Sequence, residues 1–136
     1  MTEQDAATWQ RQQLDAFAAA EEITIQTMRA DGGLRRAIPI WVVAVGDELF
    51  VRSSHGRGSG WYRGATTRHR AVITGGGQTQ EVDLVEEPGR GVEIDAAYRR
   101  KYGRYERSFL PALLAEPARG AAFRVEPARE HTTRAR

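Results

Sequence analysis

The chain has 136 residues, 40% hydrophobic and 28% charged, the balance of one folded domain and not of a disordered chain. It contains no cysteine, which excludes disulfides, thiolate metal sites and a cysteine nucleophile. Its 20 basic residues stand against 18 acidic ones, and the net charge of +2 argues against a broad, one-sided footprint for nucleic acid.

In chain order, residues 8–20 are expected to form a helix, with Leu14, Phe17 and Ala18 on one face and Trp9 before them. Residues 22–28 alternate as a half-buried strand, Ile23 and Ile25 facing one way and Thr24 and Gln26 the other. A turn at Ala30-Asp31-Gly32-Gly33 leads to a strand over 36–45 that is apolar on both faces, with Pro39 near its start. A turn at Gly46-Asp47 precedes a strand over 48–54, Leu49 and Val51 opposite Phe50 and Arg52. Then come a glycine-rich loop (55–60), a short helix (61–69) with Ser59 as N-cap, and two strands (70–74 and 78–85) joined through Gly75-Gly76-Gly77. Two helices, 92–102 and 106–115, are separated near Gly103, and Pro117 stops the second. A last strand covers 121–126.

The expected fold is thus mainly β with flanking helices, a six-stranded antiparallel barrel, without the βαβ alternation of a doubly wound sheet. A single domain, residues 1–126, is expected, with a flexible basic tail at 127–136. The longest uncharged apolar run, 37–45, is too short to cross a bilayer, so no membrane association is expected. The opening residues carry acids and no apolar stretch, so a secretory signal is not expected and a reducing cytoplasmic setting is.

All but one of the bases are arginine, Lys101 being the exception. Codon bias explains much of that excess in a chain with 20 alanines. The informative question is whether arginines gather. Arg52, Arg57 and Arg63 flank the glycine loop, together with the hydroxyls of Ser53, Ser54 and Ser59. Backbone N–H groups freed by glycine, a helix start and nearby cations are what a phosphate needs, although the loop is neither a Walker A sequence nor a dinucleotide fingerprint. A solvated connection is the plain alternative. Arg35 and Arg36 would supply a second basic edge.

Ile94, Tyr98, Tyr102 and Tyr105 recur at i, i+4, i+8 and i+11, one helical face. Such a stripe can pack on the barrel, or its tyrosines can wall a planar ligand. Arginines at 99, 100, 104 and 107 surround it. His55, His69 and His131 have no metal-ligand spacing, so no metal is expected.

The succession ITIQTMRADGGLRRAIPIWVVAVGDELFVRSS, then HGRGSGWYRGATTRHRAVITGGG, resembles the flavin-binding split β-barrel superfamily, the clan of pyridoxamine-phosphate-oxidase-like proteins and deazaflavin-dependent nitroreductases. Ile38-Pro39-Ile40-Trp41, Arg52-Ser53-Ser54, Arg57 and Trp61-Tyr62 occupy the family's places, and a small branch of the clan shares PIWVV, VRS, WYR and DAAYRRKYGRY in this order. The resemblance implies a homodimer with cofactor sites between the barrels and a deazaflavin or FMN in each groove. Arg52, Ser53, Ser54 and Arg57 match phosphate contacts, and Trp61 and Tyr62 match the helix start that closes the site. Tyr98 and Trp41 would line the substrate pocket, and Tyr102 and Tyr105 would position a small substrate or give it a proton. The lysine that many members carry near the phosphate is absent here, leaving arginines for the task. The implied function is hydride transfer by an oxidoreductase. A cofactor-free pocket protein that binds or cyclises a small molecule is the alternative, and a nucleic-acid module ranks behind both.

Overall fold

A computed structural model describes residues 8–58 and 60–128. Helix α1 (Arg11–Ala19) leads into β1 (Ile23–Thr27), β2 (Ile38–Ile40), β3 (Val42–Val45) and β4 (Glu48–Arg52). Helix α2 (Gly60–Arg68), β5 (Arg70–Gly75) and β6 (Gln78–Glu86) follow, then α3 (Gly91–Tyr102), α4 (Leu110–Leu114) and β7 (Ala122–Pro127). All strand pairs are antiparallel, in the order β2-β1-β5-β6-β7-β4-β3.

The sheet has seven strands, not six. The expected strand over 36–45 is two strands, broken at Trp41. Its first half pairs with β1, Ile23 opposite Ile40, and its second with β4, Val42 opposite Val51. The two edges of the sheet are therefore joined through a single residue, and the sheet curls into a nearly closed barrel. Pro39, which cannot donate to a ladder, sits on the edge strand where that is tolerated.

Two apolar layers result. Ile23, Ile25, Ile40, Val42, Leu49, Val51, Ile73, Leu84, Phe123 and Val125 fill the barrel, plugged by Leu14 and Phe17 of α1 and Trp61, Tyr62 and Ala65 of α2. Trp9 closes it from outside the helix, its indole N–H donating to the Val125 carbonyl at 2.9 Å. The second layer lies outside the barrel, where Val43 and Phe50 meet Ile94, Tyr98 and Tyr102 of α3 and Leu110 and Leu113 of α4. The expected alternation along β4 holds: Val51 points in, and Arg52 points out to α3 with Phe50.

The last helical segment is shorter than the expected 106–115. Residues Gly103–Tyr105 form a 3-10 turn, and α4 begins only at Leu110, with Pro111 in its first turn, where the missing N–H costs nothing. Of the tail, Pro127 still pairs with Val82, and residues 129–136 lie outside the described ones, as does Ser59. No helix among the described residues is long and apolar enough to cross a membrane.

An ion pair fastens the outer layer. The Arg52 guanidinium, fully buried, donates to Asp95 of α3 at 2.6 Å and to the carbonyls of Leu113 and Gly91 at 2.7 and 3.2 Å. Asp95 also accepts from Arg119 at 3.0 Å. Replacing Asp95 with alanine strands a buried cation and is expected to cost about 3–5 kcal/mol. Arg119→Ala, at a side chain 37% exposed, is expected to cost about 1 kcal/mol or less. Equal losses in urea denaturation would contradict this assignment.

Lys101 makes stability depend on pH. Its ammonium donates to the Val42 carbonyl at 2.6 Å, and burial lowers it from 10.5 to about 8. Between these values the unfolded chain holds the proton that the folded chain has released, so stability rises with pH. Above about pH 10, the phenols of Tyr98 and Tyr102, held protonated mainly by burial, reverse the slope. The urea midpoint is expected to climb from about pH 8 to about pH 10 and to lose that rise in Lys101→Met.

Candidate functional site

The barrel's closing corner, the start of α2 and the segment leading into α4 enclose an open groove of about 1210 Å³. One side is apolar and aromatic. Ile38 and Pro39 come from β2, Trp41 from the corner, Tyr105 from the 3-10 turn, and Phe109 and Leu113 from the last helical segment. Trp41 is held flat, its ring stacked on Tyr102 at 3.9 Å and 3°, with Tyr105 at 5.1 Å and Phe109 edge-on at 6.3 Å. Phe109 remains 66% exposed.

The other end is basic and rich in donors. Arg35 and Arg36 line it, as do Ser54, His55 and the first turn of α2 at Gly60 and Trp61. Neither Arg35 nor Arg36 has an acidic partner among the described residues. Gly64 determines how close this end is built: a Cβ there would lie 2.6 Å from Thr27 Oγ1 and 3.2 Å from Arg35 Nε. Only glycine lets α2 rest so near β1 and the arginine that follows it. Thr27 and Arg52 also line the groove, and Thr27 Oγ1 and Arg52 Nε are buried atoms with no hydrogen-bond partner. Such atoms are costly to leave unpaired, and a polar ligand group would satisfy them.

Of the residues singled out in the sequence, the groove brings together Trp41, Arg52, Ser53, Ser54, Trp61 and Tyr105. Arg57, Tyr62, Tyr98 and Tyr102 are not among its lining. Arg57 donates to the Gly120 carbonyl at 3.4 Å, away from the opening. Tyr62 is inside the barrel, 5.1 Å from Phe123. Tyr98 is fully buried, with the Arg52 guanidinium 5.5 Å from its ring centre. Tyr102 is likewise buried, and its hydroxyl donates to the Glu21 carbonyl at 2.8 Å.

The glycine loop is packed rather than open. The Ser53 hydroxyl donates to the Gly56 carbonyl at 2.7 Å, and Ser53 N–H to the Ala121 carbonyl at 3.0 Å. Gly56, at φ +72°, lies so close to Pro117 that a Cβ would come within 2.6 Å of it. Ser53, Ser54, His55 and Gly60 are what this stretch contributes to the groove. Among the described residues, no cluster of His, Asp and Glu could hold a metal ion.

Several groove residues escaped the sequence reading, Thr27, Phe109 and Glu21 among them. Thr27 carried a signal, since it occupies the inward position of β1 after Ile23 and Ile25. Phe109 opens an apolar stretch, Phe109-Leu110-Pro111-Ala112-Leu113-Leu114, in which nothing marks it as exposed. Glu21, within the α1–β1 connection, carried none.

No curated protein sequence matches the chain. Solved structures do. The conserved hypothetical protein Rv2991 of Mycobacterium tuberculosis is 13% identical with a TM-score of 0.63, over 95% of this chain and 86% of that one. A FAD-binding protein of Mesorhizobium loti is 15% identical at 0.55, over 92% and 94%. A protein described as an F420 reductase is 17% identical at 0.54, over 85% and 92%. The chain shares its fold with these three structures. The family described as "Uncharacterized protein conserved in bacteria (DUF2255)" matches residues 13–125, most of the chain, and the chain belongs to it.

Proposed function

We propose that the groove holds a planar, phosphorylated redox cofactor of the FMN or deazaflavin type, and that the protein is an oxidoreductase acting on a small organic substrate. The observation that carries this reading is the pairing, in one groove, of an aromatic wall, the arginines Arg35 and Arg36, and two unsatisfied buried atoms, Thr27 Oγ1 and Arg52 Nε. Such a cofactor, when bound, supplies hydride. The chain's own groups do the rest. Arg35 and Arg36, with Ser54 and the first turn of α2, bind the phosphate. Ile38 and Trp41 present a flat apolar surface to the ring. Tyr105 and Phe109 face the substrate and exclude water from it. Arg52 acts chiefly through Nε, because its terminal nitrogens are engaged by Asp95, Leu113 and Gly91.

A second reading, a cofactor-free pocket that binds or folds a small substrate, is favoured by one observation. The Ser53 hydroxyl and the terminal nitrogens of Arg52, the expected phosphate contacts, are already taken up within the protein. Titration with FMN and with a reduced deazaflavin separates the two. Binding at micromolar or tighter affinity is expected. Arg35→Ala and Arg36→Ala are each expected to weaken it about tenfold, the value of one charge-assisted contact, while Arg57→Ala leaves it unchanged. Absence of binding by either cofactor would replace the first reading with the second.

The groove is open on the side where Phe109 is exposed, and we infer that a second copy of the chain covers it. A homodimer is expected by light scattering. Phe109→Glu is expected to give a folded monomer with weakened cofactor binding, and a monomeric parent protein would contradict the inference.

A further inference from the structure

We propose that the end of the groove at Glu21 and Tyr105 selects ligands presenting an N–H or O–H donor, and that Glu21 sets this preference. The inference rests on the groove being a ligand site, as proposed above, and assigns the hydrogen-bond character of what enters it.

The Tyr105 hydroxyl donates to Glu21 Oε2 at 2.5 Å. Its only proton is thereby directed at a carboxylate, and what the phenol offers the groove is the lone pairs of its oxygen. Arg104 grips Glu21 Oε1, and its guanidinium lies 4.9 Å from the Tyr105 ring centre, so the carboxylate is held in place from a second side. Both contacts, that with Tyr105 first, hold the Glu21 carboxyl below its ordinary range, which keeps it an acceptor. Ser108, also lining the groove, directs its hydroxyl to the Tyr105 carbonyl at 3.4 Å, leaving its own lone pairs. Glu22 adds a carboxylate without a described partner. The lining at this end is therefore built of acceptors, whereas Arg35 and Arg36, at the far end of β1 where the Arg35 N–H donates to the Thr27 carbonyl, are donors.

A ligand matched to both ends carries an anion at one and a donor such as an amine, amidine, amide N–H or hydroxyl at the other. A nitro or carbonyl oxygen at the Glu21 end would face the lone pairs of Glu21, Tyr105 and Ser108, Arg104 not being among the groove's lining, and would lose the hydrogen bonds it made to water. Tyr105 thus orients a substrate by accepting from it, and Glu21 acts through Tyr105 as a positioning residue.

Two probe pairs test this on the full chain by following the Trp41 indole resonance. Benzamidine, a donor, and nitrobenzene, an acceptor, share a planar outline. Phenol and anisole repeat the comparison without charge. The donor of each pair is expected to bind about tenfold more tightly, the worth of one well-paired hydrogen bond. In Glu21→Gln the side-chain amide can donate to the phenol and free its proton for the groove, and both ratios are expected to fall towards one. Glu21 is exposed, so the variant is expected to keep the parent's melting temperature. Equal or inverted ratios in the parent, binding of no probe up to its solubility, or ratios unchanged in Glu21→Gln would each overturn the proposal. A parallel FMN titration distinguishes its failure from that of the cofactor reading. FMN binding with inverted probe ratios sinks only the donor preference, and donor preference without FMN binding sinks only the cofactor.

Discussion

The passage of the chain through Trp41 is the constraint on which the rest of the structure depends. Ile40 and Val42 both point into the barrel, so the residue between them must point out. There Trp41 stacks on Tyr102. The Tyr102 hydroxyl donates to the Glu21 carbonyl and Lys101 to the Val42 carbonyl, so α3 grips the chain where it leaves one sheet edge for the other. One set of contacts thereby closes the barrel, anchors the outer helix and fixes a flat aromatic wall at the groove. Loss of the Trp41 ring would disturb all three together, because closure and site are made of the same atoms.

A second constraint works at longer range. Arg52 lies at the end of β4, where its side chain leaves the barrel and meets α3 and the end of α4. Burying a guanidinium is unfavourable unless its partners are well placed, and Asp95 with two carbonyls supplies them. The pair positions the two helices that flank Tyr105 and Phe109 relative to the sheet that holds Trp41 and Thr27. The site's geometry is thus set by a polar clasp as well as by apolar packing, and Arg52 serves it structurally through its outer nitrogens while Nε remains unpaired.

The fold was legible in the sequence wherever periodicity governed it. The alternation of Ile23 and Ile25, and of Leu49 and Val51 against Phe50 and Arg52, gave strand faces that the structure keeps. The Gly76-Gly77 hairpin was marked by its glycines, both at positive φ. The broken strand was not legible, since residues 38–45 read as one apolar run and only its two partners, β1 and β4, show that it must bend. The site was legible in kind but not in place. A glycine loop with arginines suggested an anion cradle, yet Gly56 is there to let the loop pack on Pro117. The glycine that shapes the groove is Gly64, hidden in a helix where a sequence offers no reason for it. The tyrosine stripe divides by depth: Tyr98 and Tyr102 are packing, and Tyr105, past the end of α3, alone reaches the opening.

The arginine excess acquires a meaning from the same distinction between packed and open. On the outer face of β5, β6 and β7, Arg70 pairs with Glu81 and Asp83, and Arg124 with Glu87 and Glu126. Arg90 joins Glu48 and Glu93 beside them. These arginines neutralise carboxylates across neighbouring strands, each pair worth little alone but arranged as a network. Arg35 and Arg36 have no such carboxylate, and they stand beside a buried threonine hydroxyl that also lacks a partner. Codon bias would spread arginines without regard to partners. A cation left unpaired at the wall of a groove, next to unsatisfied buried atoms, is the arrangement that an anionic ligand would complete, and it is here that the chain's arginines differ from a compositional habit.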